Sequence, residues 1–249
     1  MKHGRLFLLM SFLTLLCVNA LNAHWSEIEC CKTLRVDDNP SIPVIAFSPD
    51  GTCLALVCGD GAIVLLNIKT GDRVTTLINH EEEQKPISTL AFDPEGRFLY
   101  SSSAYDGNPF ADAKLWNLND GTCSDDCELE PEWPVSSSLY AYSPKSKYAA
   151  MITEEAGGKA IEIVDEDESP IATLKEDKST FSSIAFSCDG QYLVSGLEDG
   201  LIRLWSVNGE HLTLFEAHEG NISAVAFSRD GRKLASVSGG TIKIWDLIA

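Results

Sequence analysis

One short pattern returns five times in this chain and leaves few folds open to it. It reads Ile45-Ala46-Phe47-Ser48-Pro49-Asp50-Gly51, then Leu90-Ala91-Phe92-Asp93-Pro94-Glu95-Gly96, then Tyr140-Ala141-Tyr142-Ser143-Pro144. The last two copies are Ile184-Ala185-Phe186-Ser187-Cys188-Asp189-Gly190 and Val225-Ala226-Phe227-Ser228-Arg229-Asp230-Gly231. The aromatic anchors Phe47, Phe92, Tyr142, Phe186 and Phe227 stand 45, 50, 44 and 41 residues apart. A period of roughly 40–50 residues marks units that cannot bury their apolar faces alone and must stack on their neighbours.

Each anchor reads as a strand entering a tight turn. Ser-Pro-Asp-Gly supplies an Asx acceptor, a residue of fixed φ and a glycine free to take positive φ. A second strand follows at Cys53–Val57, Phe98–Ser102, Tyr148–Thr153, Tyr192–Gly196 and Lys233–Val237. Asp-Gly turns such as Asp60-Gly61 and Asp199-Gly200 lead to a third, at Ile63–Ile68, Ala113–Leu118, Ala160–Val164, Ile202–Val207 and Ile242–Leu247. The runs are short, β-branched and bounded by turn residues, with no helical period of useful length. A recurring leucine marks a fourth strand at Thr76-Leu77, Glu128-Leu129, Thr173-Leu174 and Thr213-Leu214. One more copy, Thr33-Leu34, precedes the first anchor by 13 residues, and the last unit has no fourth strand of its own. The expectation is an all-β propeller of four-stranded blades, closed by Lys32–Val36 lying beside Ile242–Leu247. Closure removes sheet edges that would otherwise pair with other chains.

These residues resemble the WD-repeat family over about residues 30 to 249. The Trp-Asp ending is literal at Trp245-Asp246, altered at Trp205-Ser206 and Trp116-Asn117, and lost at Leu66-Asn67 and Val164-Asp165. The fourth and fifth repeats match best, the third worst. The resemblance implies a blade network of His, Ser or Thr, Asp and Trp. The last repeat offers His218, Ser236 and Trp245, with Gly239 where the Asp belongs. The fourth offers Ser195, Asp199 and Trp205, with Asp177 at the His position, and the second offers His80, Ser101, Asp106 and Trp116. We read these residues as structural, because buried polar groups need partners and find them in one another. Repeats fall at approximately 30–72, 73–122, 123–168, 169–208 and 209–249. A closed five-bladed ring is the expectation; a ring finished by a second copy and a piece of a longer protein are the alternatives.

The first 23 residues stand apart. Lys2 and Arg5 give a positive start, Leu6–Val18 carries no charge, and Ala20 and Ala23 offer small residues for cleavage. This is the layout of a secretory signal peptide, too short to span a bilayer comfortably. The expectation is residues 1–23 as signal, 24–249 as propeller, and a secreted or periplasmic protein; an ordinary cytoplasmic protein with a misleading N-terminus is the alternative. Eight cysteines include Cys17 in the signal, so seven remain, an odd number. Cys123 and Cys127 bracket a turn and could pair in an oxidising compartment, whereas the adjacent Cys30 and Cys31 cannot easily bond each other. Histidines at zinc spacing are too few for a metal site, and no cofactor is expected.

The net charge of −18 becomes −20 once Lys2 and Arg5 are removed. Such a surface repels phosphate, so nucleic acid and anionic lipid are poor partners and a basic protein or peptide is a better one. The sequence holds no Gly-x-Ser-x-Gly elbow, phosphate loop or dinucleotide fingerprint. The expected function is therefore a non-catalytic protein-interaction platform. A hydrolase with carboxylates around the channel is the alternative from another class. The loops that differ most from the repeat are His80–Pro86, Ala104–Asp112 and Ser124–Pro134. The middle one carries the candidate interaction residues Tyr105 and Phe110, an aromatic pair of interface composition.

Overall fold

The computed structural model describes residues 28–36, 42–59, 61–77, 86–105, 108–124, 139–143, 147–155 and 158–247, with the backbone alone at 104–105, 108–112 and 155. Twenty strands are described there, and no helix. The first described strand is β1 (Ile28–Arg35). Blade 1 follows as β2 (Ile45–Phe47), β3 (Cys53–Val57), β4 (Ile63–Asn67) and β5 (Arg73–Leu77). Blade 2 is β6 (Ile87–Phe92), β7 (Phe98–Tyr105), β8 (Asn108–Asn117) and β9 (Cys123–Ser124); blade 3 is β10 (Tyr140–Tyr142), β11 (Tyr148–Glu155), β12 (Gly158–Asp165) and β13 (Pro170–Lys175). Blade 4 is β14 (Phe181–Phe186), β15 (Tyr192–Leu197), β16 (Leu201–Ser206) and β17 (His211–Glu216). Blade 5 is β18 (Ala224–Phe227), β19 (Lys233–Ser238) and β20 (Thr241–Leu247), completed by β1 in the order β1-β20-β19-β18. The result is a five-bladed propeller of four-stranded antiparallel sheets.

The ring is zipped by both ends of the chain. Thr33 lies opposite Lys243 and Leu34 opposite Ile242, with a bulge at Cys31 between the pairs Cys30–Trp245 and Lys32–Ile244. Leu34 and Val36 are buried in one apolar layer with Ile242, Ile244, Leu54 and Leu56, which joins blade 5 to blade 1. Comparable layers join blades 4 and 5, blades 3 and 4, and blades 1 and 2. Alternation along each strand produces them: one set of side chains faces the preceding blade, the other the next.

The junction between blades 2 and 3 is built differently. Facing the preceding blade, Leu54, Leu99, Leu193 and Leu234 are at most 1 % exposed, but blade 3 has the smaller Ala149, half-buried. Opposite that leucine stands Leu66, Trp116, Trp205 or Trp245, whereas Ala149 faces only Val164. Blade 2 carries the missing bulk. Tyr100 occupies the position held by Ala55, Ala150, Val194 and Ala235 elsewhere, on the face turned to blade 3, and is 2 % exposed. A large residue on one side thus answers small residues on the other, as close packing requires.

One expectation is corrected. Of the stretch expected as the loop 104–112, residues 104–105 and 108–112 are strand: β7 runs to Tyr105, β8 starts at Asn108, and these two residues pair. Ladder pairing continues past the point where Asp, Asn and Pro in the sequence suggested a break. Of the fourth strand of blade 2, Cys123 and Ser124 are described, opposite Trp116 and Leu115. The Glu128-Leu129 segment expected to play that part lies outside the described residues, as do the proposed signal, His80 and Cys127.

Candidate functional site

The polar groups inside the blades are the first candidates. In blade 5, Trp245 Nε1 donates to Ser236 Oγ at 2.9 Å, and His218 Nε2 lies 2.8 Å from the same oxygen. The hydroxyl accepts from the indole and has its own proton to offer the imidazole. The pair recurs without histidine in blade 4, Trp205 Nε1 to Ser195 Oγ at 3.0 Å, and in blade 2, Trp116 Nε1 to Ser101 Oγ at 2.9 Å. All three serines are buried. Each indole N–H would otherwise be an unsatisfied donor in the core, so this arrangement holds strands together.

Asp199 takes no part. Its carboxylate accepts from Leu201 N at 3.3 Å within its own turn, and Asp106 lies outside the described residues. In blade 4 the charged group that turns inward is the neighbour of Asp177. Asp177 is exposed, while the Glu176 side chain is 6 % exposed and pairs with Arg203 at 2.6 Å. The Arg203 guanidinium in turn lies 5.2 Å over the Trp205 ring. Burial raises the Glu176 carboxyl above its ordinary range, and Arg203 opposes that rise. An ion pair stacked on the tryptophan therefore accompanies the Trp205–Ser195 bond in a blade that has no histidine at the position of His218.

Among the described residues, the charged group that acts on His218 is a cation. Burial first, and then the Lys243 ammonium, push the imidazole down to about 4. Lys243 Nζ donates to Ala217 O at 2.6 Å and lies 5.6 Å over the Trp245 ring. The consequence has a definite sign. Between about pH 6.5 and 4 the unfolded chain protonates this histidine and the folded chain does not, so stability falls as pH drops through that window. Denaturant titrations of wild type and His218→Gln at about pH 7 and about pH 4.5 should show the wild type losing roughly 1–2 kcal/mol more than the variant, after allowance for solvent at a half-buried site. Equal losses would mean that the imidazole is charged in the folded state.

The second candidate is the end of the ring formed by the turns between second and third strands. From Cys53 to Asn67, Tyr192 to Ser206 and Lys233 to Asp246 the hairpins are short and nearly equal. Those of blades 2 and 3, Phe98 to Asn117 and Tyr148 to Asp165, are five and three residues longer than that of blade 1. Tyr105 ends β7 and Phe110 lies on β8, so both belong to the longest hairpin. Glu154 pairs with Lys159 across the blade 3 hairpin, and Lys159 Nζ reaches Glu198 of blade 4 at 3.6 Å. At the opposite end, Asp165 is occupied by its own turn, accepting from Asp167 N at 3.0 Å and Ser169 N at 2.8 Å.

A family model described as "WD domain, G-beta repeat" matches residues 71–108, 168–206 and 209–246. Each match begins near the fourth strand of one blade and runs into the next, and the first three strands of blades 1 and 3 lie outside the matches. The chain is similar to WD repeat and HMG-box DNA-binding protein 1 of Xenopus laevis, 31 % identical over 172 residues, covering 66 % of this chain and 14 % of that protein. It is similar to SEC12-like protein 2 of Arabidopsis thaliana, 27 % identical over 232 residues, 86 % of this chain and 56 % of the relative. Apoptotic protease-activating factor 1 of Rattus norvegicus is 30 % identical over 215 residues, 82 % of this chain and 16 % of its own length. The chain spans less than two thirds of the length of each of these relatives.

Proposed function

We propose, from the premise that this chain is a WD-repeat β-propeller, that it is a non-catalytic platform holding a protein or peptide partner on the face of its two long hairpins. We propose further that it works after export. One observation carries the platform reading: in a ring of otherwise equal blades, two neighbouring blades alone extend their hairpins beyond the rest. A closed ring supplies rigidity, and departures from the repeat are where a scaffold carries recognition. The charge of −18 suits a basic partner. Support for export is the charged, then apolar, then small-residue order of residues 1–23. No helix among the described residues is long and apolar enough to cross a membrane.

The test replaces Tyr105 and Phe110 together by alanine. Two interface aromatics lost should lower partner capture from the native host's fractions by ~10-fold or more, with the melting temperature unchanged. Undiminished capture, or a large loss of stability, would show that these rings serve the fold. In the same host, the protein should be recovered outside the cytoplasm at the mass expected for cleavage after Ala20 or Ala23. A full-length cytoplasmic product would remove export and leave the platform.

A further inference from the structure

At the end of the ring opposite the long hairpins, each repeated turn holds one side chain that its own turn does not use, although Cys188 Sγ reaches Ser228 O of blade 5 at 3.5 Å. Ser48 Oγ donates to Asp50 Oδ1 at 2.5 Å and accepts from Cys53 N at 2.9 Å. Ser187 does the same with Asp189 and Tyr192, and Ser228 with Asp230 and Lys233. In blade 2, Asp93 accepts directly from Phe98 N at 2.6 Å. The side chain between these residues makes none of the turn's bonds. It is proline in the first three repeats, Cys188 in the fourth and Arg229 in the fifth. Pro49, Pro94, Cys188 and Arg229 rim a cavity of about 250 Å³ at the channel mouth, whose floor is formed by Phe47, Phe92, Phe186 and Phe227.

The two departures from proline are on neighbouring blades, and a second cavity of about 420 Å³ lies between those blades. It shares Cys188, Phe227 and Arg229 with the first and continues outward past Tyr192 and Leu247, flanked by Asp189 and Asp230. A groove therefore leads from the aromatic mouth to the rim. Arg229 lies across the mouth, where the groove begins: its Nη1 donates from blade 5 to Pro94 O of blade 2. The guanidinium is exposed and has no carboxylate partner among the described residues.

We propose that the mouth and groove bind an extended peptide segment, seating one aromatic side chain in the mouth under Arg229 and basic residues beside Asp189 and Asp230. The mouth is smaller than the ~300–1,000 Å³ of sites for drug-sized ligands, so it suits a single side chain, while the groove gives the main chain a way out. Phenylalanine edges and a guanidinium plane both favour the face of an aromatic ring. Asp93, only 5 % exposed in the mouth, and the chain's −18 charge disfavour an anionic anchor, although a guanidinium alone would accept one. Basic flanks complement the two aspartates, while Arg232 beside Asp230 leaves that side the less negative.

The experiment uses the whole chain and minimal probes, N-acetyl-tryptophan amide and N-acetyl-leucine amide, followed by nitrogen-15 NMR. The tryptophan probe should shift the amides around Phe47, Cys188, Phe227 and Arg229 saturably and bind more tightly than the leucine probe. Arg229→Ala should weaken it by ~2- to 5-fold, the worth of an exposed cation–π contact. Cys188→Trp should abolish binding by filling the mouth, with melting curves reporting that each variant is folded. No shifts at the mouth up to the probe's solubility limit would overturn the proposal. So would equal binding of the two probes, or binding indifferent to Arg229→Ala. The hairpin face is on the other end of the ring, so failure of either reading leaves the other standing.

Discussion

Gly200→Ala should be among the most damaging single substitutions of a small side chain in this protein. Gly200 has φ +89°, and a Cβ built there would sit 2.0 Å from the carbonyl oxygen of His218 and 2.7 Å from its carbon. The closeness is part of the blade 4 to blade 5 joint, because Gly200 O accepts from both Ala217 N and His218 N at 3.0 Å. Gly61 offers a matched control in the corresponding turn of blade 1: φ is +83°, with nothing within 4 Å of the added carbon. Left-handed backbone alone costs an alanine ~1–2 kcal/mol, the expected loss for Gly61→Ala. At Gly200 the displacement of backbone adds ~1–3 kcal/mol more, for ~2–5 kcal/mol in all. At ~2–4 °C per kcal/mol, Gly200→Ala should melt ~5–20 °C below wild type. Equal melting temperatures for the two variants would show that the close approach of the two loops is wrong.

Removing the zipper strand should be worse. A chain beginning at Asp37 loses the seven β1–β20 partnerships and the burial of Leu34 and Val36. Two aliphatic side chains contribute ~1.5–3 kcal/mol each when fully buried, and each ladder hydrogen bond ~0.5–1.5 kcal/mol net. The sum exceeds ~5 kcal/mol, comparable with the whole stability of many domains. The truncation also bares the edge of β20, whose Ile242, Ile244 and Leu247 are otherwise buried. An open apolar edge recruits other chains, so the expected product is aggregated or oligomeric on size-exclusion chromatography. A synthetic peptide of residues 28–36 added in trans should restore a monomer. A truncated chain that remains monomeric and melts as wild type does would mean that blade 5 stands without its outer strand.

Much of this architecture was legible because its determinants are local. Phe47-Ser48-Pro49-Asp50-Gly51 carries its own turn chemistry, and the structure realises it as the Ser48–Asp50–Cys53 bonding set. The spare Thr33-Leu34 strand was legible for a topological reason, since the last unit lacks a partner that the first supplies. The blade 2 hairpin was not. Residues 104–112 have loop composition, yet β7 and β8 continue to pair, because a ladder already running closes no new loop and its added hydrogen bonds offset the ordering of the next residues. Glu176 was not legible as the inward group because the connection between blades 3 and 4 has no repeat register, and one residue decides which carboxylate turns inward to Arg203.

By itself, the sequence determined the repeat, the strand order within each unit, the blade number and the strand that closes the ring. All four follow from periodicity and turn residues, which act over a few positions. Only the tertiary structure decided how the blades meet. It put Tyr100 at the junction where Val164 replaces tryptophan, set Arg203 and Glu176 against Trp205, and stretched Arg229 across the channel mouth to Pro94. Those contacts join residues from different units, or from opposite sides of the ring, and no period in a single chain encodes which of them will touch.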